Sequence, residues 1–247
     1  MSTSKQPHER RLWPWVVALV VGAIAVAVIF VTPLVVPKRV LCIGDSLMSG
    51  AAQAVTGQLQ AKGFEPEVHA IPGSGLLDTK VNWADQARQV LAQFNPDVIV
   101  VEFIGDYGLL GERPGVAANS PQFFAQWASA AQQLEDVLAS GGAQVYWVLG
   151  PPVAQPVGEH ELVSLDYIYQ ALRAPNTTSG RPLTIDAVRP FSAHGAGYSE
   201  FLPNPKGLPV QIRTPDGTHL TVAGDLLFAK TVAHAVASGP SRPFWRL

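Results

Sequence analysis

From Asp97 to Ile104 the sequence is nearly continuous Val, Ile and Phe, and after Asp97 only Glu102 interrupts the run. A strand with one face in water would alternate apolar and polar side chains. A continuous run instead fits a strand covered on both faces, as in a parallel sheet flanked by helices. Four other stretches read as strands: Arg39–Ile43, Glu67–Ile71 (the weakest), Gln144–Leu149 and Leu183–Val188. Helical patterns lie between them at 46–62, 82–94, 121–140 and 159–173, and a last one at 221–238 closes the chain. Strands alternating with helices predict an α/β fold with right-handed crossovers. Residues 190–215 are rich in Gly, Pro and Ser and are too long for an ordinary connection. They read either as a lid or binding loop, or as a surface insertion without a role.

The other end of the chain is different in kind. No charged residue occurs from Leu12 to Pro37. That length suffices to cross a hydrocarbon core of about 30 Å as a helix, which needs roughly 20 residues. Trp13 and Trp15 stand where an interfacial aromatic belt belongs. The rival is a cleaved signal peptide, with an apolar core of about 7–15 residues ending in a small-x-small site. Ala23-Ile24-Ala25 and Ala25-Val26-Ala27 have that form, but the apolar run continues through them to Pro37. An uncleaved transmembrane anchor over 12–37 is therefore the expectation, in preference to cleavage or to a buried helix. Lys5, Arg10 and Arg11 precede it and Lys38 and Arg39 follow. The positive-inside tendency favours a cytoplasmic tail over 1–11 and one extracytoplasmic domain over 38–247 at the cell membrane.

Composition narrows the chemistry. Charged residues make up 15% of the chain, against a usual ~25%, and the net charge is −2. That balance offers no basic face, which argues against a nucleic-acid partner. Cys42 is the sole cysteine, so no internal disulfide and no cysteine-based zinc site can form. Its apolar setting reads as core. His, Asp and Glu do not recur at metal-ligand spacing, and no metal or cofactor is expected. His160, His194 and His234 read as surface, loop or packing residues, and Trp83, Trp127 and Trp147 as core.

Two short segments carry the chemistry. In Val40-Leu41-Cys42-Ile43-Gly44-Asp45-Ser46-Leu47 a buried strand runs into Gly-Asp-Ser and then a helix. Ser46 thus sits at the carboxyl end of a strand and the amino end of a helix, where parallel sheets bind ligands and backbone N–H groups favour negative charge. Ser46 is read either as a nucleophile or as an ordinary N-cap. Near the other end, Thr214-Pro215-Asp216-Gly217-Thr218-His219-Leu220 precedes the last helix. An Asp and a His three apart in a turn can face one pocket. A serine hydroxyl needs a base to become a nucleophile, and a carboxylate orients an imidazole for that task. Taken singly, Asp216 also reads as an Asx-turn residue and His219 as a surface or capping histidine.

These blocks together resemble the SGNH (GDSL) hydrolase superfamily, with a nucleophile block near the start and an Asp-x-x-His block near the end. The resemblance spans nearly all of 38–247 and implies Ser46, Asp216 and His219 as a catalytic triad. Ile71-Pro72-Gly73-Ser74-Gly75 is similar to the family's glycine block, with Gly75 in the place of an oxyanion-hole donor beside the Ser46 N–H. The third block usually reads Gly-x-Asn-Asp. Here it is Gly105-Asp106-Tyr107-Gly108, with Asp106 in the place of the asparagine. An ionised Asp106 would repel an oxyanion that asparagine stabilises, and losing one such donor can cost about 10²–10³ in kcat. Three outcomes stay open: a protonated Asp106, an Asp106 turned away, or a degenerate enzyme. The resemblance also implies a flavodoxin-like three-layer α/β/α sandwich with about five parallel strands in the order 2-1-3-4-5.

The reading that follows is an anchored serine esterase or O-acyltransferase, acting on acylated glycans or glycolipids of the cell envelope. As a transferase it would need a membrane partner protein to donate the acyl group. The alternatives are a catalytically weak domain that binds carbohydrate or acyl groups, and an anchored scaffold.

Overall fold

A computed structural model describes residues 37–105, 115–175 and 177–239. The main sheet is formed by β1 (Arg39–Gly44), β2 (Glu65–Ala70), β3 (Val98–Glu102), β4 (Gln144–Leu149) and β5 (Leu183–Asp186). All its pairings are parallel and its order is β2-β1-β3-β4-β5. The helices are α1 (Ser46–Gln60), α2 (Trp83–Phe94), α3 (Pro121–Ala139), α4 (Pro156–Ala171) and α5 (Val222–Ser238). The expected α/β architecture, strand number and strand order are all present.

Alternation along each strand sorts the side chains into two cores. Val40, Cys42, Val98, Val100, Tyr146 and Val148 face one way, and Met48, Val55, Phe228 and Val232 of α1 and α5 cover them. Leu41, Ile43, Ile99, Val101, Val145 and Trp147 face the other way. Against them pack Trp83 and Val90 of α2, Trp127 and Leu134 of α3, and Leu165 and Tyr169 of α4. Because both faces are covered, neither can be polar, and the runs read in the sequence as unbroken. Cys42 lies in the first core, where burial pushes its thiol up to about 12. Trp83, Trp127 and Trp147 lie in the second, all buried. β2 is an edge strand with only partial burial, which explains its weak sequence signal.

The segment 190–215 is largely ordered. Phe191, in a 3₁₀ turn at Arg189–Phe191, is buried in the first core. Beyond it β6 (Phe201–Pro203) and β7 (Pro209–Gln211) form an antiparallel hairpin. The Asn204 carboxamide closes its turn by accepting from the N–H groups of Lys206 and Leu208.

Among the described residues no helix is long and apolar enough to cross a membrane. The expected tail over 1–11 and the anchor over 12–37, Pro37 excepted, lie outside the described residues.

Asp166 of α4 reaches the end of β4, where its Oδ1 accepts from the Gly150 N–H at 3.0 Å. Burial, followed by the charges of Glu159 and Asp186, raises its carboxyl to about 7 against the hydrogen bond from Gly150. An acid whose pKa is higher folded than unfolded binds more protons in the native state. Its contribution to stability is therefore complete at low pH and lost as pH climbs toward 7. Asp166→Asn keeps the acceptor and removes the titration. The variant should melt several degrees above the native protein at pH 8, and the gap should close by pH 4.5, as read by thermal denaturation at both pH values.

Candidate active site

β1 ends at Gly44, and the chain turns at once into α1. A Cβ on Gly44 would lie 2.5 Å from the Glu102 carbonyl oxygen and 2.9 Å from Glu102 Oε2. Only glycine allows β1 and β3 to approach this closely at their carboxyl ends. Asp45 is the N-cap of α1, with its Oδ1 accepting from the Leu47 N–H at 3.1 Å. Ser46, the first residue of the helix, is thereby relieved of capping. The four leading amides of a helix need outside partners. Leu47 N–H has the Asp45 carboxylate, Met48 N–H has Glu102 Oε2 at 3.1 Å, and Ser49 N–H has the Asp45 carbonyl. Among the described residues no acceptor meets the Ser46 N–H.

Ser46 Oγ lies 3.0 Å from His219 Nε2, across 173 positions of sequence. His219 Nδ1 lies 2.9 Å from Asp216 Oδ2. Asp216 Oδ1 in turn accepts from the Thr218 N–H, the His219 N–H and the Thr214 hydroxyl, at 2.8, 2.9 and 2.8 Å. Burial pushes this carboxyl up, but the hydrogen bonds outweigh it and hold it well below the ordinary carboxylate range. An ionised Asp216 can only accept, so the imidazole proton resides on Nδ1 and the lone pair on Nε2 faces the serine hydroxyl. His219 and Asp216 remain about half exposed, at 48% and 53% of their side chains.

The turn that holds this pair is tied to the rest of the molecule. An isolated bridge joins Arg213 to Leu220, and the Thr214 N–H donates to the His219 carbonyl at 2.9 Å. Gly217, at φ +72°, passes against Ala154, whose N–H donates to the Gly217 carbonyl. Arg213 is buried beneath the turn. Its guanidinium donates to the Thr218 carbonyl and to the Pro152 carbonyl, both at 2.6 Å, and lies over the Phe191 ring. Burial lowers it to about 10, so it stays charged at neutral pH.

Gly75 lies in the turn after β2, buried, and no acceptor among the described residues meets its N–H. Gly105, at φ +100°, lies three residues past the end of β3. Asp106 lies outside the described residues. His160, His194 and His234 are exposed. Among the described residues there is no cluster of His, Cys, Asp or Glu able to hold a metal ion.

A family model described as a protein of unknown function (DUF459) matches residues 39–235. The chain belongs to this family. No curated protein matches it in sequence. Several solved structures share its fold. An acetyl xylan esterase, AlAXEase, superposes with a TM-score of 0.56 at 17% identity, over 80% of this chain and 99% of that one. A carbohydrate esterase family 3 protein from Talaromyces cellulolyticus gives 0.54 at 14% identity, over 81% and 96%. The periplasmic domain of a lipopolysaccharide acetyltransferase from Salmonella ser. Paratyphi A gives 0.53 at 12% identity, over 81% and 84%. At such identities the likeness is one of fold, and that fold is the SGNH type implied by the sequence blocks.

Two residues that support the site, Glu102 and Arg213, had no role in it assigned from the sequence. Glu102 is 1% exposed and lies beside the buried Asp45, whose Oδ2 accepts from the Ile104 N–H at 2.8 Å. Burial, the Asp45 charge and a hydrogen bond between the two carboxyls push Glu102 well above the usual range. Its charged form is therefore disfavoured in this setting. Glu102→Gln, a neutral isostere, should match the native stability at pH 7. Glu102→Ala leaves the Met48 N–H without its partner and opens a cavity, and should lose about 2–4 kcal/mol. Urea denaturation of both variants measures the difference. Arg213→Met strips the donors from one buried and one part-buried carbonyl; a buried carbonyl left unmet costs about 1–3 kcal/mol. It should cost about 2 kcal/mol or more in the same assay.

Proposed function

We propose that the protein is a serine esterase or O-acyltransferase in which Ser46 is the nucleophile, His219 the general base and Asp216 the group that orients it. The observation that carries this reading is the unbroken line of hydrogen bonds from Ser46 Oγ through both imidazole nitrogens to an ionised Asp216. Ser46 Oγ attacks an ester carbonyl as its proton passes to His219 Nε2. The tetrahedral oxyanion rests on the N–H groups of Ser46 and Gly75, neither of which has another acceptor among the described residues. Nε2 then returns the proton to the departing alkoxide, leaving an acyl-serine. Attack by water releases a carboxylic acid; attack by a second alcohol transfers the acyl group.

The names of the fold neighbours, two sugar-ester hydrolases and a lipopolysaccharide acetyltransferase, support an O-acetylated glycan or glycolipid as substrate. The periplasmic setting of the last and the uncharged stretch at 12–37 support an anchored, extracytoplasmic domain over 38–247. The exposure of His219 leaves the base open to water and supports hydrolysis ahead of transfer. Asp106, in the place of an oxyanion asparagine, favours a second reading, a domain that binds acylated glycans with little turnover.

Turnover of an aryl acetate by the full chain in detergent, with fluorophosphonate labelling alongside, separates the two. The expected result is labelling at Ser46 and a loss in kcat of about 10³-fold or more in each of Ser46→Ala, His219→Ala and Asp216→Asn. Absence of both labelling and turnover in the native chain would establish the binding-domain reading instead.

A further inference from the structure

The last rungs beside β3 are Gly44↔Glu102 toward β1 and Val101↔Trp147 toward β4. The peptide group between Phe103 and Ile104 lies past both, and two side chains hold it there. The Ile104 N–H donates to Asp45 Oδ2 at 2.8 Å, and the Phe103 carbonyl accepts from the Tyr169 hydroxyl at 2.9 Å. Asp45 directly follows β1, and Tyr169 lies in α4. A peptide group is planar, so its C=O and its N–H swing together. A partner at each end stops that swing, and losing one partner loosens the bond to the other. Asp45, Phe103 and Tyr169 are all buried.

The Tyr169 hydroxyl is aimed by what surrounds it. It accepts from Trp127 Nε1 at 3.1 Å, and its ring stacks on Trp147 with 4.7 Å between centroids. The indole nitrogen only donates, so the single phenol proton is left for the Phe103 carbonyl. Burial pushes this phenol well above its ordinary pKa, and it keeps that proton. On the other side of the peptide, Asp45 Oδ2 takes the Ile104 N–H while Oδ1 takes the Leu47 N–H in the first turn of α1. A carboxylate turns about its last bond on a broad, two-fold profile. Beside its contact with the Glu102 carboxyl, the bond to Ile104 helps set where Oδ1 points. One line of hydrogen bonds thus runs from Trp127 through Tyr169, the Phe103–Ile104 peptide and Asp45 to Leu47. It starts between α3 and α4 and ends on the residue after Ser46.

We propose that Tyr169 is a positioning residue for Ser46: its hydroxyl fixes the Phe103–Ile104 peptide, which fixes the Asp45 carboxylate and with it the first turn of α1. Its catalytic meaning rests on the reading of Ser46 as nucleophile. The hold on the turn is independent of that chemistry, so the two ideas fail separately.

The test compares Tyr169→Phe, which removes one oxygen and keeps the ring packing, with Trp127→Phe. The second variant loosens the same core but leaves Tyr169 its bond to Phe103. Both are studied as the full chain in detergent, by amide hydrogen exchange and by the rate of fluorophosphonate labelling, at a temperature where thermal melting shows each one folded. In Tyr169→Phe, exchange of the Ile104 and Leu47 amides should rise about tenfold beyond any rise in the β4 amides, and labelling of Ser46 should slow about tenfold. A tenfold change corresponds to about 1.4 kcal/mol, the scale of one hydrogen bond. Trp127→Phe should change neither by more than about twofold, however far its melting temperature falls. A hydroxyl with a merely structural role would raise exchange evenly through the core. Such an even rise in Tyr169→Phe, or an equal local rise in Trp127→Phe, overturns the proposal. So does a local rise with undiminished labelling, since the turn would then move without consequence for Ser46. A native chain that takes no label sinks the nucleophile reading instead, and amide exchange still decides whether Tyr169 holds the turn.

Discussion

Asp45 and Glu102 are buried side by side where β1 and β3 come to their ends. Two ionised carboxylates there would repel each other with no water to screen them. Burial and the Asp45 charge raise the Glu102 pKa, which favours a proton on the pair. With that proton in place the two groups divide the work of holding the turn from β1 into α1. Asp45 caps α1 and holds the Ile104 N–H of the neighbouring strand's exit. Glu102 reaches back across the sheet to the Met48 N–H. Together they occupy the amides that a new helix exposes, save that of Ser46. Among the described residues the Ser46 amide alone is left without an acceptor.

The opposite half of the site is held by a cation in place of an acid pair. Among the described residues no carboxylate is in hydrogen-bond contact with Arg213; its Nη1 and Nη2 donate to two main-chain carbonyls, those of Thr218 and Pro152, and its Nε meets no acceptor there. Isolated buried charges are expensive, and they persist where hydrogen bonds and a polarisable face compensate. Here the Phe191 ring supplies the face, which gives the ordered part of the 190–215 segment a structural purpose. The guanidinium fixes the floor of the turn. The amides above it then converge on Asp216 Oδ1, leaving Oδ2 for the histidine.

How much of this was legible in the sequence depended on whether a feature was local and periodic. The strand within Asp97–Ile104 announced itself because both its faces are covered. The edge strand β2, covered only in part, gave a weak and shifted signal. α4 starts at Pro156, earlier than the pattern from 159, because its first turn carries a proline and no side-chain cap. Gly-Asp-Ser offered two residues able to cap α1, and periodicity has no means to choose between them; the choice of Asp45 is made by the position of Ile104 across the sheet. Glu102 stood out as an acid in an apolar run, but its partner lies on another strand. Arg213 gave no signal at all, since both of its acceptors are backbone carbonyls, which every residue possesses. The hairpin of β6 and β7 was hidden for a related reason. Its strands are three residues long and end in prolines that face each other at Pro203 and Pro209, so composition read it as loop.

The contact between Ser46 and His219 joins residues near opposite ends of the domain, and neither side chain brings the other there. Ser46 opens α1, and His219 precedes α5 by three residues. Those two helices lie on the same face of the sheet and share one core, with Met48, Ala51, Val55 and Leu59 on one and Phe228, Val232 and Val236 on the other. A separation of 3.0 Å between Oγ and Nε2 is therefore set by how these apolar side chains interlock. Close-packed interiors transmit small displacements because they have few voids to absorb them. A change of volume at Val55 or Phe228 touches nothing polar, yet it moves one helix start relative to the other. The hydrogen bond would lengthen before the sheet lost any of its pairing. The precision of the polar line at the surface is thus a property of the α1–α5 core beneath it, and the two carboxyls and the arginine hold each half rigid enough for that core to align them.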